Sequence, residues 1–254
     1  MKFIPTLSLL ILATPLVAEN EAKPAEKPPV PEAKQMMPNQ MEFLNLPQEV
    51  RKEFGKHLSE AARLFKQKRI FEALDELDKT ALIYSYSPEI HDMRGCCYVE
   101  MRAFDKALIQ FQKASSFSSH NSSIDFNIAE VYFCTKAWAK ARDKFEKIIA
   151  ELPQNNTAFA RLMEFKILLC NLKLGQADEA AKLTSKYDFT DDSPFYYYAQ
   201  ATVAFEAKDM AKAEEWLRMA DRVFNNANTI SPWRDTLAEY GYIKSFYGNE
   251  TVTE

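Results

Sequence analysis

Residues 95–114 read GCCYVEMRAFDKALIQFQKA, and residues 129–148 read AEVYFCTKAWAKARDKFEKI. Laid over one another at an offset of 34, they align small residues at Gly95/Ala129 and Ala107/Ala141. Large residues align at Tyr98/Tyr132, Phe104/Trp138 and Phe111/Phe145, and Ala114 aligns with Ile148. Small side chains at such positions let two helix backbones approach where they cross, and large ones fill the space on either side. A fixed period of this length marks stacked helical hairpins, each of which buries its apolar face only against its neighbours.

Working outward, the pattern extends to Ala61, Leu64, Ile70, Ala73 and Leu77 before these segments, and to Ala201, Phe205, Met210, Ala213, Leu217 and Ala220 after them. Between lies a departure. Ala141 to Ala180 spans 39 residues, the next interval to Ala213 spans 33, and Leu168 takes a small-residue position. We read this stretch as a hairpin with a lengthened first helix over about 156–174. Pro47 followed by Glu49 opens a long helix to about Gln67, because a first-turn proline loses no hydrogen bond. Ser87-Pro88, Ser193-Pro194 and Ser231-Pro232 each set a capping hydroxyl before such a proline, and Pro153 ends a helix. These signals predict eleven helices with short connections and no strand. Five glycines in 254 residues, with 47% hydrophobic and 27% charged residues, fit the same conclusion.

The set of small and large positions at this period resembles the tetratricopeptide repeat over about Phe54 to Tyr247. The resemblance implies an all-α, right-handed superhelical solenoid of helix–turn–helix units at about 54–87, 88–121, 122–155, 156–193 and 194–230. Trp233, Leu237, Tyr240, Ile243 and Tyr247 then predict a helix over 232–247 that covers the last apolar face. The repeat domain is placed at 41–247, with a tail at 248–254.

The resemblance also implies a concave groove lined by the first helix of each unit. Carried over by offset, it places Phe65, Asp92, Phe126, Glu130, Phe133, Phe165, Tyr198 and Phe205 there. That would make an apolar trough with acidic points, suited to an amphipathic or aromatic-bearing peptide. The same periodicity would equally serve a core packed across a tightly wound superhelix. A Lys and Asn clamp for a terminal carboxylate is not matched, because Asp92 and Cys96 stand where those groups are wanted and only Asn127 is reminiscent. From an open groove, Phe126→Ala is expected to cost less stability than Ala141→Leu. Phe133→Ala is expected to weaken binding with helicity intact, and Glu130→Lys to act through charge.

The first 18 residues predict an export signal, with Lys2 before the apolar run Phe3–Val17 and a cleavage site at Leu16-Val17-Ala18. A Pro-, Ala-, Glu- and Lys-rich linker follows over 19–40. The expected location is the bacterial cell envelope, periplasmic or extracellular, with membrane contact only through an uncleaved signal. Cys96, Cys97, Cys134 and Cys170 then occupy an oxidising compartment, where Cys96 with Cys134 is the first disulfide pair to test. Their apolar helical surroundings suit buried thiols as well.

A net charge of −4 without a domain-wide basic surface argues against nucleic acid as a partner. His57, His91 and His120 form no ligand spacing, and no nucleophile elbow or phosphate loop is present. No enzyme activity, cofactor or metal is expected. A non-catalytic adaptor for a protein or peptide is the leading expectation. A structural subunit of an envelope complex, acting by self-association as a homo-oligomer, is the alternative.

Overall fold

The computed structural model describes residues 36–118, 121–153 and 156–244. The expected signal, residues 19–35 of the linker, residues 245–247 of the terminal helix and the tail lie outside the described residues. Among the described residues the fold is all-α, with no strand. The helices are α1 Pro38–Asn45, α2 Gln48–Lys66, α3 Ile70–Ile83, α4 Pro88–Glu100, α5 Phe104–Ser116, α6 Ser122–Cys134 and α7 Trp138–Glu151. They continue as α8 Thr157–Lys173, α9 Ala177–Thr184, α10 Phe195–Glu206, α11 Met210–Val223 and α12 Ala227–Tyr240.

The twelfth helix, beyond the eleven expected, is α1, which begins inside the segment read as linker. Pro38 opens it where a missing N–H costs nothing. Phe43 then packs edge-on to Phe54 at 4.8 Å and against Tyr84 at 5.4 Å. Asn39 Nδ2 donates to the carbonyls of Tyr86 and Phe117 at 2.9 and 3.0 Å. These contacts outweigh the disorder-like composition just upstream.

From α2 to α11 the helices pair as hairpins joined by one recurring turn. In the third pair, Lys136 N–H donates to Phe133 O at 3.0 Å and Ala137 N–H to Tyr132 O at 2.8 Å. The same two bonds recur at Lys68/Arg69, Arg102/Ala103, Gly175/Gln176 and Lys208/Asp209. This double closure is a Schellman turn, which satisfies the last carbonyls of the first helix. The turn requires a left-handed residue, and φ there is 60° at Lys68, 55° at Arg102, 60° at Lys136, 71° at Gly175 and 60° at Lys208. Four of the five are basic residues in a conformation that costs an L-residue about 1–2 kcal/mol. A cation at a helix C-terminus offsets part of that through the helix dipole. Lys136→Gly should therefore stabilise the fold by up to about 1 kcal/mol, readable as a higher urea midpoint at unchanged m.

The chain divides into two compact units. The N-terminal one holds residues 36–97 and 109–124, and the C-terminal one holds 98–108 and 125–244. In the N-terminal unit, Phe54, Ala61, Leu64, Phe65, Ala73, Leu77, Ile90 and Phe111 are buried. Gly95 lies against the Phe111 ring so closely that a Cβ would overlap it. Gly95→Val should cost about 1–3 kcal/mol by overpacking, visible as a lowered thermal midpoint. In the C-terminal unit, α8 runs 17 residues against 13 in α6 and 12 in α10.

The terminal helix differs from its expected bounds. It starts at Ala227, five residues before Pro232, because the Asn226 side chain caps it by accepting from Asn228 N–H at 2.9 Å. Pro232 sits inside the helix. Gly241, at φ 101°, ends it after Tyr240.

Candidate interaction surface

In the C-terminal unit, the first helices of three hairpins, α6, α8 and α10, present large side chains to α12. The helix α12 answers with Ile230, Trp233, Leu237 and Tyr240, a single stripe at helical spacing, all buried. Trp233 meets Phe165 at 5.3 Å, Tyr198 at 5.5 Å and Phe195 at 6.4 Å between ring centroids. Farther along, Tyr240 packs on Trp138 at 5.6 Å and on Phe133 at 6.5 Å. Just past the helix, Tyr242 stacks on Phe205 at 4.8 Å and its hydroxyl donates to Glu206. Offset and edge-on ring pairs like these add to the burial of apolar area.

Charges fasten the margins of this contact. Arg102 holds Glu239 with both terminal nitrogens, at 2.8 and 3.2 Å. Arg234 reaches Asp221 on α11 at 2.5 Å, and the Lys173 ammonium lies 4.4 Å from the Tyr240 ring centroid.

The expected groove residues therefore need a correction. Phe65, Phe126, Glu130, Phe133, Phe165, Tyr198 and Phe205 are all buried, and of the eight residues carried over only Asp92 is partly exposed. Phe126, Phe133, Phe165, Tyr198 and Phe205 belong to one hydrophobic core with the α12 stripe. Phe126 packs on Phe145 at 5.9 Å and Phe159 at 4.8 Å, and Phe165 meets Tyr198 edge-on at 5.9 Å. Phe65 and Asp92 lie in the other unit, on α2 and α4. Phe133, Phe165 and Tyr198 stand at the register positions the resemblance assigns, but α12 covers them. Phe133→Ala would thus cost stability as well as any binding.

Glu130 is a second correction, since it does not face solvent. Lys166 Nζ, from α8, lies 3.0 Å from Glu130 Oε1 and donates to Oε2 at 3.1 Å, with both side chains buried. The same ammonium sits 4.8 Å from the Phe133 ring centroid. Burial pushes the Glu130 carboxyl above its usual range, and Lys166 pulls the other way. Glu130→Lys would set two ammonium groups together in this core.

All four cysteines are buried, and none is joined in a disulfide. Burial raises the Cys170 thiol to about 12 and Cys134 well above its usual value, which keeps both from forming the reactive thiolate. Among the described residues no three His, Cys, Asp or Glu side chains are placed to hold a metal ion. A cavity of about 390 Å³ between α7, α8 and α9 is lined by charges already paired, Glu164 with Lys186 at 2.7 Å and Glu179 with Lys182 at 2.6 Å.

Sequence reasoning missed Lys166, Arg102 and Glu239. Lys166 had a signal, because it follows Glu130 by 36 residues, about one repeat, and so falls on the next first helix. Arg102 and Glu239 are 137 residues apart and carry none.

The paired helices and their recurring turn define a tetratricopeptide-type repeat fold. Solved structures of that architecture match the chain at low sequence identity. The TPR repeat-containing protein of Cytophaga hutchinsonii, in its C-terminal part, aligns at TM-score 0.51 and 20% identity, covering 72% of this chain and 70% of that one. PilF of Pseudomonas aeruginosa aligns at TM-score 0.55 and 14% identity, covering 76% and 91%. The apo form of the quorum sensor NprR from B. thuringiensis aligns at 0.56 and 16%, covering 79% and 61%. At these identities the likeness concerns the fold alone. No protein-family model matches the chain, and no curated protein matches it in sequence.

Proposed function

We propose that this chain is a non-catalytic adaptor of the bacterial cell envelope that binds a partner protein or peptide through the inner face of its hairpins. One observation carries the reading. The inner face of α6, α8 and α10 already takes up an amphipathic helix through a row of aromatic contacts. A surface that packs a helix in this way has the chemistry of helix-in-groove recognition. The hairpin fold, which offers extended faces for a partner, supports the same assignment. Export rests on the sequence of residues 1–18.

Two measurements test this. Fractionation of the native host should recover the chain, shortened at its N-terminus, outside the cytosol; a full-length cytosolic chain sinks the envelope assignment. Affinity capture with the mature chain from envelope extract should yield a partner that, once purified, titrates to saturation at fixed stoichiometry. A chain that captures only itself and runs as a stable oligomer replaces the adaptor with an assembly subunit.

A further inference from the structure

We propose that α12 is the resident occupant of a helix-binding site on α6, α8 and α10, and that the partner brings an amphipathic helix of the same pattern. That helix carries aromatic or large aliphatic residues at i, i+3, i+7 and i+10 and a carboxylate at i+9, as Ile230, Trp233, Leu237, Tyr240 and Glu239 do. The inference deepens the adaptor reading and rests on it.

The path of α12 is the first argument. A helix that merely capped the array would need to cover only α10 and α11, the last hairpin. Here α12 reaches back to Phe165 of α8, to Phe133 of α6, to Trp138 of α7 and to Arg102 in the α4–α5 turn. It thus lies along the row of first helices, where a bound segment of a partner would lie.

The second argument is how α12 is attached. In sequence a short connection, Phe224–Asn226, links it to α11, and Asn225 and Asn226 are exposed. Pro232 inside the helix has no N–H to donate to the carbonyl four residues before it, so α12 is a weak helix on its own. Its far end is held by Tyr240 packed on Trp138 and Phe133 and, at the margin, by the Arg102–Glu239 pair, in which Arg102 is half exposed and open to screening. A tethered occupant acts at an effective concentration in about the millimolar range, so a free helix competes poorly until the tethered one is weakened.

The test uses a fluorescein-labelled peptide of residues 226–244 and the full chain, read by fluorescence polarisation. Native chain should bind the peptide weakly. Trp233→Ala and Glu239→Arg chains, whose own α12 fits less well, should each bind it at least tenfold more tightly. The peptide carrying its own Trp233→Ala change should lose at least tenfold against both. If Trp233→Ala fails to fold, Glu239→Arg at the margin carries the comparison. Equal binding to all three chains at equal helicity overturns the proposal, as does a peptide indifferent to its tryptophan. Variants that dimerise without taking up peptide overturn it too, in favour of exchange of α12 between copies. A captured partner that leaves amide exchange across residues 227–240 unaltered retains the adaptor and discards this site.

Discussion

Lys166→Met is expected to destabilise the C-terminal unit by about 3–5 kcal/mol at neutral pH, the usual result of removing one member of a buried ion pair. The substitution keeps most of the apolar volume of the stem and takes away the charge. Glu130 would be left as a buried carboxylate without the ammonium that now lies within hydrogen-bonding distance of it. The pH dependence gives the mechanism its signature. Glu130 already holds its proton more tightly folded than unfolded, because burial raises it. A carboxyl raised in this way costs nothing below its unfolded value and costs progressively more as pH climbs through its folded value. Without Lys166 that penalty deepens. The loss relative to wild type should therefore be largest at pH 7 and shrink as pH falls towards the unfolded carboxyl value near 4.5. Adding Glu130→Leu to Lys166→Met should recover most of the stability even at pH 7, since a buried pair replaced by apolar groups is often neutral. Urea titrations at three pH values check both statements. A loss independent of pH would trace the effect to packing, and Glu130 would not be the cause.

That pair also shows where sequence reasoning reaches its limit. The 34-residue period and the alternation Gly95/Phe111 and Ala129/Phe145 were legible because small and large residues at a helix crossing are a local steric demand, repeated. The recurring Schellman turn was not. Lysine and arginine carry no mark of a left-handed backbone, and here the turn imposes it on Lys68, Arg102, Lys136 and Lys208. The terminal helix was legible as a stripe of Trp233, Leu237 and Tyr240. Its start was misread because a Ser-Pro pair signals a helix opening at 231–232, whereas the Asn226 cap had opened one already. Its destination was hidden altogether. Periodicity identifies which face of α6, α8 or α10 is apolar, and says nothing of whether solvent, a partner or a helix far along the chain covers it.

The same point fixes the ranking of two core substitutions, and reverses the one an open groove predicts. Phe126→Ala should cost about 3–5 kcal/mol, the range for truncating a buried phenylalanine, and more than Ala141→Leu at about 1–3 kcal/mol. Phe126 is 4% exposed and packs between Phe145 of α7 and Phe159 of α8. Three rings from three helices meet there, so truncation leaves a void that no single side chain can close without moving a helix. Ala141 is fully buried on α7, and a leucine in its place must force apart the backbones it lets approach. Helices can yield along their length by small shifts, which spreads that strain, whereas a cavity lined by rigid rings forfeits its contacts outright. Thermal and urea denaturation of the two single variants decide the order. A Phe126→Ala chain as stable as wild type would mean that this ring faces open space, and the groove position that the repeat pattern assigns to it would stand after all.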